Sequence, residues 1–269
     1  MVDLDVSTVD SVWLRVQCER GVAKELADYF TFKVPGYKFM PAYRSKMWNG
    51  EIRLYNIHTQ QIYGGLAAYI EKFAAERGYS VTMPMTNQVK TTPDAVRKFV
   101  EDFLQVCVNG KKAAAHEHQI NAIHHAIEHE RCLLLSPTGS GKSLIIYSLI
   151  RYYLDKIPKD KKVLILVPTV SLVEQMYSDF IDYSYDNNWR VNQNCHKILA
   201  GQSKTTDKRV VISTWQSVFK QTEKYFSQFG AVIGDEAHLF KAKSLTSIMT
   251  KLKVCPFRVG TTGTLDGTQ

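Results

Sequence analysis

The chain has 269 residues, 45% of them hydrophobic, with 34 Lys and Arg against 26 Asp and Glu for a formal net charge of +8. That apolar share is ordinary for a globular chain, the length suggests about two domains, and the basic excess favours a polyanionic partner. No apolar run approaches the roughly 20 residues of a membrane helix, and the acidic start MVDLDVSTVD lacks a signal-peptide core, so a membrane partner is excluded and a cytoplasmic location expected. The five cysteines (18, 107, 132, 195 and 255) are scattered, which fits buried thiols better than a disulfide framework or a metal site.

Residues 11–18 alternate so that Val12, Leu14 and Val16 share one face of a strand. Val22, Leu26, Tyr29 and Phe30 recur at helical spacing over 21–30. Residues 32–56 read as β-rich, with a Pro35-Gly36 turn and an Asn49-Gly50 hairpin turn between Met47-Trp48 and the alternating Ile52 and Leu54. A helix over 67–77 and a short strand over 79–83 complete a small α+β domain, residues 1–83. Residues 84–92 are polar and aperiodic. A helix over 93–108 follows, with Val96, Phe99, Val100, Phe103 and Leu104 as its stripe, stopped at Asn109-Gly110. Residues 84–112 are therefore assigned as linker and connecting helix, and 113–269 as the second domain.

In that domain strands are predicted at 131–135, 163–167, 196–199, 209–213, 230–234 and 257–260, and helices at 116–129, 143–155, 170–183 and 244–252. Runs such as Val163-Leu164-Ile165-Leu166-Val167 belong to sheets buried on both faces. The alternation predicts an α/β fold with a doubly wound parallel sheet, and ligands at the C-terminal ends of its strands.

Two motifs carry chemistry. Cys132-Leu133-Leu134-Leu135 runs into Ser136-Pro137-Thr138-Gly139-Ser140-Gly141-Lys142-Ser143, a strand, a loop of small residues and a helix start. Gly139 and Gly141 let backbone N–H groups turn inward on a polyphosphate, and the helix N-terminus adds its dipole. Lys142 supplies a point charge for the β- and γ-phosphates, and the Ser143 hydroxyl can ligate Mg²⁺. Ser136 stands where the usual pattern has Gly or Ala. The second motif is Ala231-Val232-Ile233-Gly234-Asp235-Glu236-Ala237-His238, an apolar strand delivering two carboxylates at its end. Asp235 suits the Mg²⁺ shell, and Glu236 suits polarising an attacking water. The plainer alternative is a capped strand end with a helix starting at Glu236.

These two motifs together resemble motifs I and II of the superfamily 2 helicases and translocases. Other elements fall in the family's order. Gln119 opens the first helix where an adenine-reading glutamine is expected; its amide can donate and accept together. His118 stands before it where the family often has an aromatic or Arg. Val167-Pro168-Thr169-Val170-Ser171-Leu172-Val173-Glu174-Gln175 resembles motif Ia. Val211-Ile212-Ser213-Thr214-Trp215-Gln216-Ser217 resembles the motif that grips a strand backbone. Gly260-Thr261-Thr262-Gly263-Thr264 resembles motif III. The resemblance covers about residues 113–266. It implies a RecA-like P-loop domain that binds ATP and Mg²⁺ through Gln119, Thr138, Gly139, Ser140, Gly141, Lys142, Ser143 and Asp235. Lys142, Asp235 and Glu236 would be catalytic. His238, Thr262 and Thr264 would couple the ATP site to motif III, and Thr169 and Thr214 would hold DNA phosphates. Ordinary readings stay open: a surface Gln, two helix caps and a satisfied strand-end histidine.

Residues 36–55 interleave bases with aromatics: Lys38, Arg44, Lys46 and Arg53 face one acid, Glu51, with Trp48 among them. That mixture suits phosphate contact and base stacking, and equally a hairpin with an aromatic core and solvated bases. Trp48-Asn49-Gly50-Glu51-Ile52-Arg53-Leu54 and Phe226-Ser227-Gln228-Phe229-Gly230 are similar to the UvsW-type superfamily 2 helicases of T-even-like bacteriophages, across all 269 residues. That resemblance implies an ATP-dependent DNA helicase for branched or duplex DNA (stalled forks, Holliday junctions and R-loops, the last bringing RNA) in phage recombination, replication and repair. It also implies that the second RecA-like domain is absent, so the chain alone is expected to bind ATP weakly and to unwind nothing. An RNA helicase, a restriction-enzyme motor subunit and a non-enzymatic binding module are the alternatives.

Overall fold

The computed structural model describes residues 2–85, 90–137, 139–199, 201–241 and 243–263. The chain divides into two compact units, Met1–Thr86 and Asn87–Gln269.

In the first unit β1 (Leu4–Thr8) pairs antiparallel with β2 (Trp13–Cys18). Asp10 makes the turn between them: its carboxylate accepts from the Val12 and Trp13 N–H groups at 2.6 and 2.9 Å. Alternation puts Leu4, Val6, Leu14 and Val16 on one face, where α1 (Arg20–Tyr29) buries Leu26 against them. Next come β3 (Thr31–Lys33), α2 (Pro41–Arg44) and β4 (Glu51–Arg53). Then β5 (Tyr55–Asn56), β6 (Gln61–Tyr63), α3 (Ala67–Arg77) and β7 (Val81–Thr82) complete a five-stranded sheet in the order β5-β6-β2-β1-β7. Ile70 and Phe73 of α3 close the core.

The expected hairpin differs from its sequence reading. β3 and β4 do pair, with Phe32 opposite Ile52, but they are joined by a long loop and not by a two-residue Asn-Gly turn. Met47 and Trp48 therefore lie in no strand. Local chemistry explains the outcome. Gly36, at φ +71, closes a turn in which the Tyr37 N–H donates to the Val34 carbonyl at 3.0 Å. Pro41 then starts a helical turn, where its missing N–H costs nothing. The Asn49 side chain folds onto Glu51 instead of turning the strand: its oxygen accepts from the Glu51 N–H at 3.1 Å, and its amide donates to the Glu51 carboxylate at 2.7 Å.

The second unit begins earlier than residue 113. Thr92 caps α4 (Pro93–Lys98), its hydroxyl accepting from the Ala95 N–H at 3.2 Å. A π-helical turn over Phe99–Leu104 follows. Val96, Val100, Leu104 and Val106 belong to the unit's main core beside Ile120, Ile123 and Tyr147, so the segment assigned as a connecting helix is core. β8 (Cys107–Val108) and β9 (Lys111–Lys112) form a hairpin turned by Asn109-Gly110, at φ +52 and +70. The Asp182 carboxylate accepts from both turn N–H groups.

Then come α5 (Glu117–His129), β10 (Arg131–Leu135), α6 (Lys142–Lys156), β11 (Lys162–Val167), α7 (Val170–Tyr183), α8 (Val191–Asn194) and β12 (Cys195–Ile198). β13 (Val210–Thr214), α9 (Trp215–Val218), α10 (Glu223–Phe226), β14 (Phe229–Gly234), α11 (Lys243–Lys251) and β15 (Phe257–Thr262) complete the unit. Six strands form one sheet in the order β10-β15-β14-β11-β13-β12, every pairing parallel. The continuous apolar run of β11 has the predicted cause. Val163, Ile165 and Val167 pack into the core with α6 and α7, while Leu164 and Leu166 pack on the other face with Trp215 and Ile248. No helix among the described residues is long and apolar enough to cross a membrane.

Candidate nucleotide site and nucleic-acid surface

The sheet brings the two chemical motifs together through β15. β10 and β14 both pair with β15, so the loop after Leu135 and the carboxylates after Gly234 flank Thr261 and Thr262. The Ser136 N–H donates to the Thr262 carbonyl at 2.8 Å, which fixes where the loop leaves the sheet. Ser140 then folds the loop on itself: its hydroxyl donates to the Pro137 carbonyl at 2.7 Å and meets the Ser136 hydroxyl at 2.5 Å. Thr138 lies outside the described residues. Gly139 and Gly141 sit at φ +82 and +78, where an L side chain is strained.

The start of α5 is latched to this loop. The Gln119 amide donates to the Ser140 carbonyl at 3.0 Å, and His118 Nε2 reaches the same oxygen at 2.9 Å. The Gln119 oxygen accepts from the His116 N–H at 2.9 Å, half of a capping box that opens α5. Gln119 is 4% exposed, so it is not the surface glutamine its helical position allowed.

Lys142 Nζ donates to Glu236 Oε1 at 3.1 Å. Glu236 has φ +52, a left-handed turn that costs roughly 1–3 kcal/mol and lets adjacent carboxylates face different partners. Asp235 is buried and accepts from the Thr261 hydroxyl at 2.8 Å. His238 Nδ1 lies 3.0 Å from the Thr262 hydroxyl and 3.3 Å from Glu236 Oε2. The predicted His238–Thr262 contact is thus made; Thr264 lies outside the described residues. Sequence reading missed Thr261, although it stands inside the quoted Gly-Thr-Thr-Gly-Thr run. It also missed Gly260: a Cβ there would lie 2.8 Å from the Ala237 Cβ, so β15 needs glycine where the second motif crosses it.

The oxygen chemistry fits Mg²⁺. Ser143 and Asp235 are hard donors, and Mg²⁺ keeps waters and phosphate oxygens as most of its ligands. Among the described residues no cluster of three or more His, Cys, Asp or Glu offers a protein-built metal cage. Ser143 Oγ itself meets the Tyr183 hydroxyl at 2.7 Å, a partner no motif indicated.

Thr169 lies two residues past the end of β11 and Thr214 ends the neighbouring β13, with Val167 opposite Thr214 in register. Thr169 caps α7, its Oγ1 accepting from the Leu172 N–H at 3.3 Å, whereas Thr214 stands at the N-cap position of α9 and pairs instead with the Ser217 hydroxyl at 2.9 Å. Thr169 is exposed and Thr214 is buried.

In the first unit the loop between β3 and β4 carries a pocket of about 540 Å³ lined by Lys38, Tyr43, Arg44, Lys46, Met47, Trp48 and Asn49. Lys38, Arg44 and Lys46 are exposed, and so are Phe39 (77%) and Met47 (81%). Tyr37 and Tyr43 pack edge to face at 4.8 Å, and the Trp48 indole N–H donates to the Glu51 carbonyl at 2.8 Å. Aromatics here support the loop, and bases and apolar tips project from it. Arg53 is committed elsewhere: it pairs with Glu51 at 3.2 Å, and that bond, ahead of the one from Asn49, lowers the Glu51 pKa.

A phosphate loop and a carboxylate pair at the ends of strands flanking β15 in a parallel sheet define a RecA-like P-loop domain. Residues 112–267 match the family model described as type III restriction enzyme, res subunit, and residues 3–84 match the one described as DNA helicase UvsW, N-terminal. The ATP-dependent DNA helicase uvsW of Enterobacteria phage T4 is 35% identical over 98% of this chain and 52% of its own length. The crystal structure of the UvsW helicase from bacteriophage T4 superposes with a TM-score of 0.87 at 34% identity, covering 100% of this chain and 94% of that one. The DNA 3'-5' translocase XPB2 of Sulfurisphaera tokodaii is 25% identical over 63% of this chain and 35% of its length. The chain belongs to the UvsW-type superfamily 2 helicase family, and it spans about half the length of the curated T4 relative.

Proposed function

We propose that this chain is the ATP-binding portion of a DNA helicase that works on branched or duplex DNA in recombination, replication and repair, with R-loop RNA as a further strand it meets. Its place is the cytoplasm, where its five free thiols stay reduced. The observation that carries the reading is the meeting of Lys142 and Glu236 at 3.1 Å beside a loop held by Gln119. The pair holds the two side chains together until a phosphate replaces the carboxylate as the lysine's partner.

When bound, Mg²⁺ neutralises phosphate charge and orients the γ-phosphoryl group. Ser143 and Asp235 would hold it, with Thr261 fixing the Asp235 carboxylate. Gly139, Ser140, Gly141 and the start of α6 present N–H groups to the phosphates. Released from Lys142, Glu236 is free to take a proton from water. His238 links Glu236 to Thr262, so a change at the carboxylate reaches β15. Gln119 reads the base once it gives up the Ser140 carbonyl. Thr169 and the α7 N-terminus contact DNA phosphates, with Thr214 supporting the neighbouring strand end. Lys38, Arg44, Lys46 and the Trp48 loop form the second DNA contact, with Arg53 held by Glu51 at its margin.

Titration with a fluorescent ATP derivative tests the nucleotide site. Lys142→Ala removes a charge-assisted contact and should weaken binding by roughly 100-fold. Anisotropy with fork, duplex, single-stranded DNA and matched RNA tests the loop. Arg44→Ala with Lys46→Ala should lower fork and duplex affinity and flatten its salt dependence by about 0.9 for each phosphate the loop no longer neutralises. Undiminished ATP binding in the lysine variant would sink the first claim, and identical binding of all four nucleic acids by both proteins would sink the second.

A further inference from the structure

Ser143 has a partner that its motif does not explain. Tyr183 closes α7, and its hydroxyl lies 2.7 Å from Ser143 Oγ. The phenol is held as a neutral O–H, since burial pushes its pKa up. Its ring packs edge-on against Tyr147 at 5.6 Å. Tyr147 is fully buried, and its own hydroxyl accepts from Arg151 at 2.8 Å and from the Asn187 amide at 3.0 Å. Tyr183 is therefore braced by a fixed network and does not hang free at a helix end.

A serine that ligates a cation must place one proton and two lone pairs. The cation takes one lone pair. The proton then needs an acceptor, and the second lone pair can receive a donor. Tyr183 offers a partner here, its hydroxyl 2.7 Å from Ser143 Oγ and able to donate into that second lone pair. Partners of this kind orient a ligand and raise its affinity for the metal.

We propose that Tyr183 is a positioning residue that orients the Ser143 hydroxyl toward Mg²⁺ and so sets how strongly nucleotide binding depends on that ion. The proposal rests on the reading of Ser143 as part of the ATP site. It adds to that site the residue that ends α7, outside every motif the sequence displays.

The test is titration of the fluorescent ATP derivative, in excess Mg²⁺ and again in EDTA. It is run on the wild-type chain, Tyr183→Phe, Ser143→Ala and the Tyr183→Phe/Ser143→Ala double variant. Tyr183→Phe should lose about tenfold of affinity in Mg²⁺ and keep the wild-type value in EDTA. In the Ser143→Ala background Tyr183→Phe should add nothing, because the two act through one hydroxyl. Equal losses with and without Mg²⁺ would reduce Tyr183 to a packing residue and overturn the proposal. An unchanged Mg²⁺ gain, tighter Mg²⁺-dependent binding, or additive effects in the double variant would overturn it too. Wild-type chain that binds no nucleotide in either buffer would instead overturn the ATP reading, and this proposal with it.

Discussion

Gly50 and Gly141 occupy the same geometry in two different regions. Each has φ near +80, and at each a Cβ would lie 2.2 Å from a neighbouring side chain. The neighbours differ. At Gly50 the obstacle is the Tyr37 ring down to its Cβ, anchored by the turn at Gly36 and packed edge to face on Tyr43. At Gly141 it is the terminal amide of Gln119, a long side chain with rotamers to spare. The exposed loop of the first unit thus uses its glycine to pack a ring, whereas the loop between β10 and α6 uses its glycine to leave room for the hydrogen-bonded Gln119 amide.

Gly50→Ala should give the largest effect on folding. A left-handed alanine costs roughly 1–2 kcal/mol, and forcing a ring aside adds about 1–3 kcal/mol. Calorimetry should show a clear loss of stability, with DNA affinity falling because Lys38, Arg44 and Lys46 lose their framework. A melt unchanged from wild type would show that Tyr37 yields as readily as Gln119, and the contrast between the two glycines would vanish.

Gly141→Ala should act the other way round. The backbone penalty is again roughly 1–2 kcal/mol, but Gln119 can swing away, giving up its bond to Ser140 at a further cost of about 1 kcal/mol. Nucleotide titration should report the damage more than the melting temperature does. Adding Gln119→Ala relieves the clash, so the double variant should melt higher than Gly141→Ala alone. A double variant no more stable than the single would place the strain in the loop backbone and not in the latch.

The two regions also differ in how much of them the sequence displayed. In the second unit the strands of the parallel sheet fell within about two residues of their predicted positions, because continuous apolar runs buried on both faces leave little freedom of register. The loop, the carboxylate pair and the His238–Thr262 contact were legible for the same reason: each follows a strand end whose place in the sheet is fixed. Tyr183 and Thr261 were not, since a hydroxyl partner from a distant helix or an adjoining strand leaves no spacing pattern. The residues around 93–108 showed a helical stripe, but a stripe does not say which core receives it. Asn49-Gly50 misled for a related reason. The dipeptide signals a tight hairpin only when the residues before it are free to pair, and here Pro41 starts a helical turn while Asn49 commits its side chain to Glu51. β1 went unpredicted because its apolar positions, Leu4 and Val6, sit in a short acidic start whose only strong cue is the partner strand.

The smallest effect lies at that strand. Asp3 accepts from the Ser80 hydroxyl at 2.7 Å and from the Ser80 N–H at 2.8 Å, tying the chain start to the segment that leads into β7. The serine hydroxyl, followed by the backbone N–H, holds the Asp3 carboxyl below its ordinary range. A folded-state pKa lower than the unfolded one contributes stability above the unfolded value, and that contribution disappears as pH falls through the folded value. Asp3 is fully exposed, so the effect is small and screened by salt. Asp3→Asn keeps the shape and removes the charge. Its melting temperature should therefore fall less than that of the wild type between about pH 5 and pH 3, since asparagine has no proton to take up over that range. Parallel melting curves for the two proteins would mean that Ser80 binds the neutral acid as well as the carboxylate.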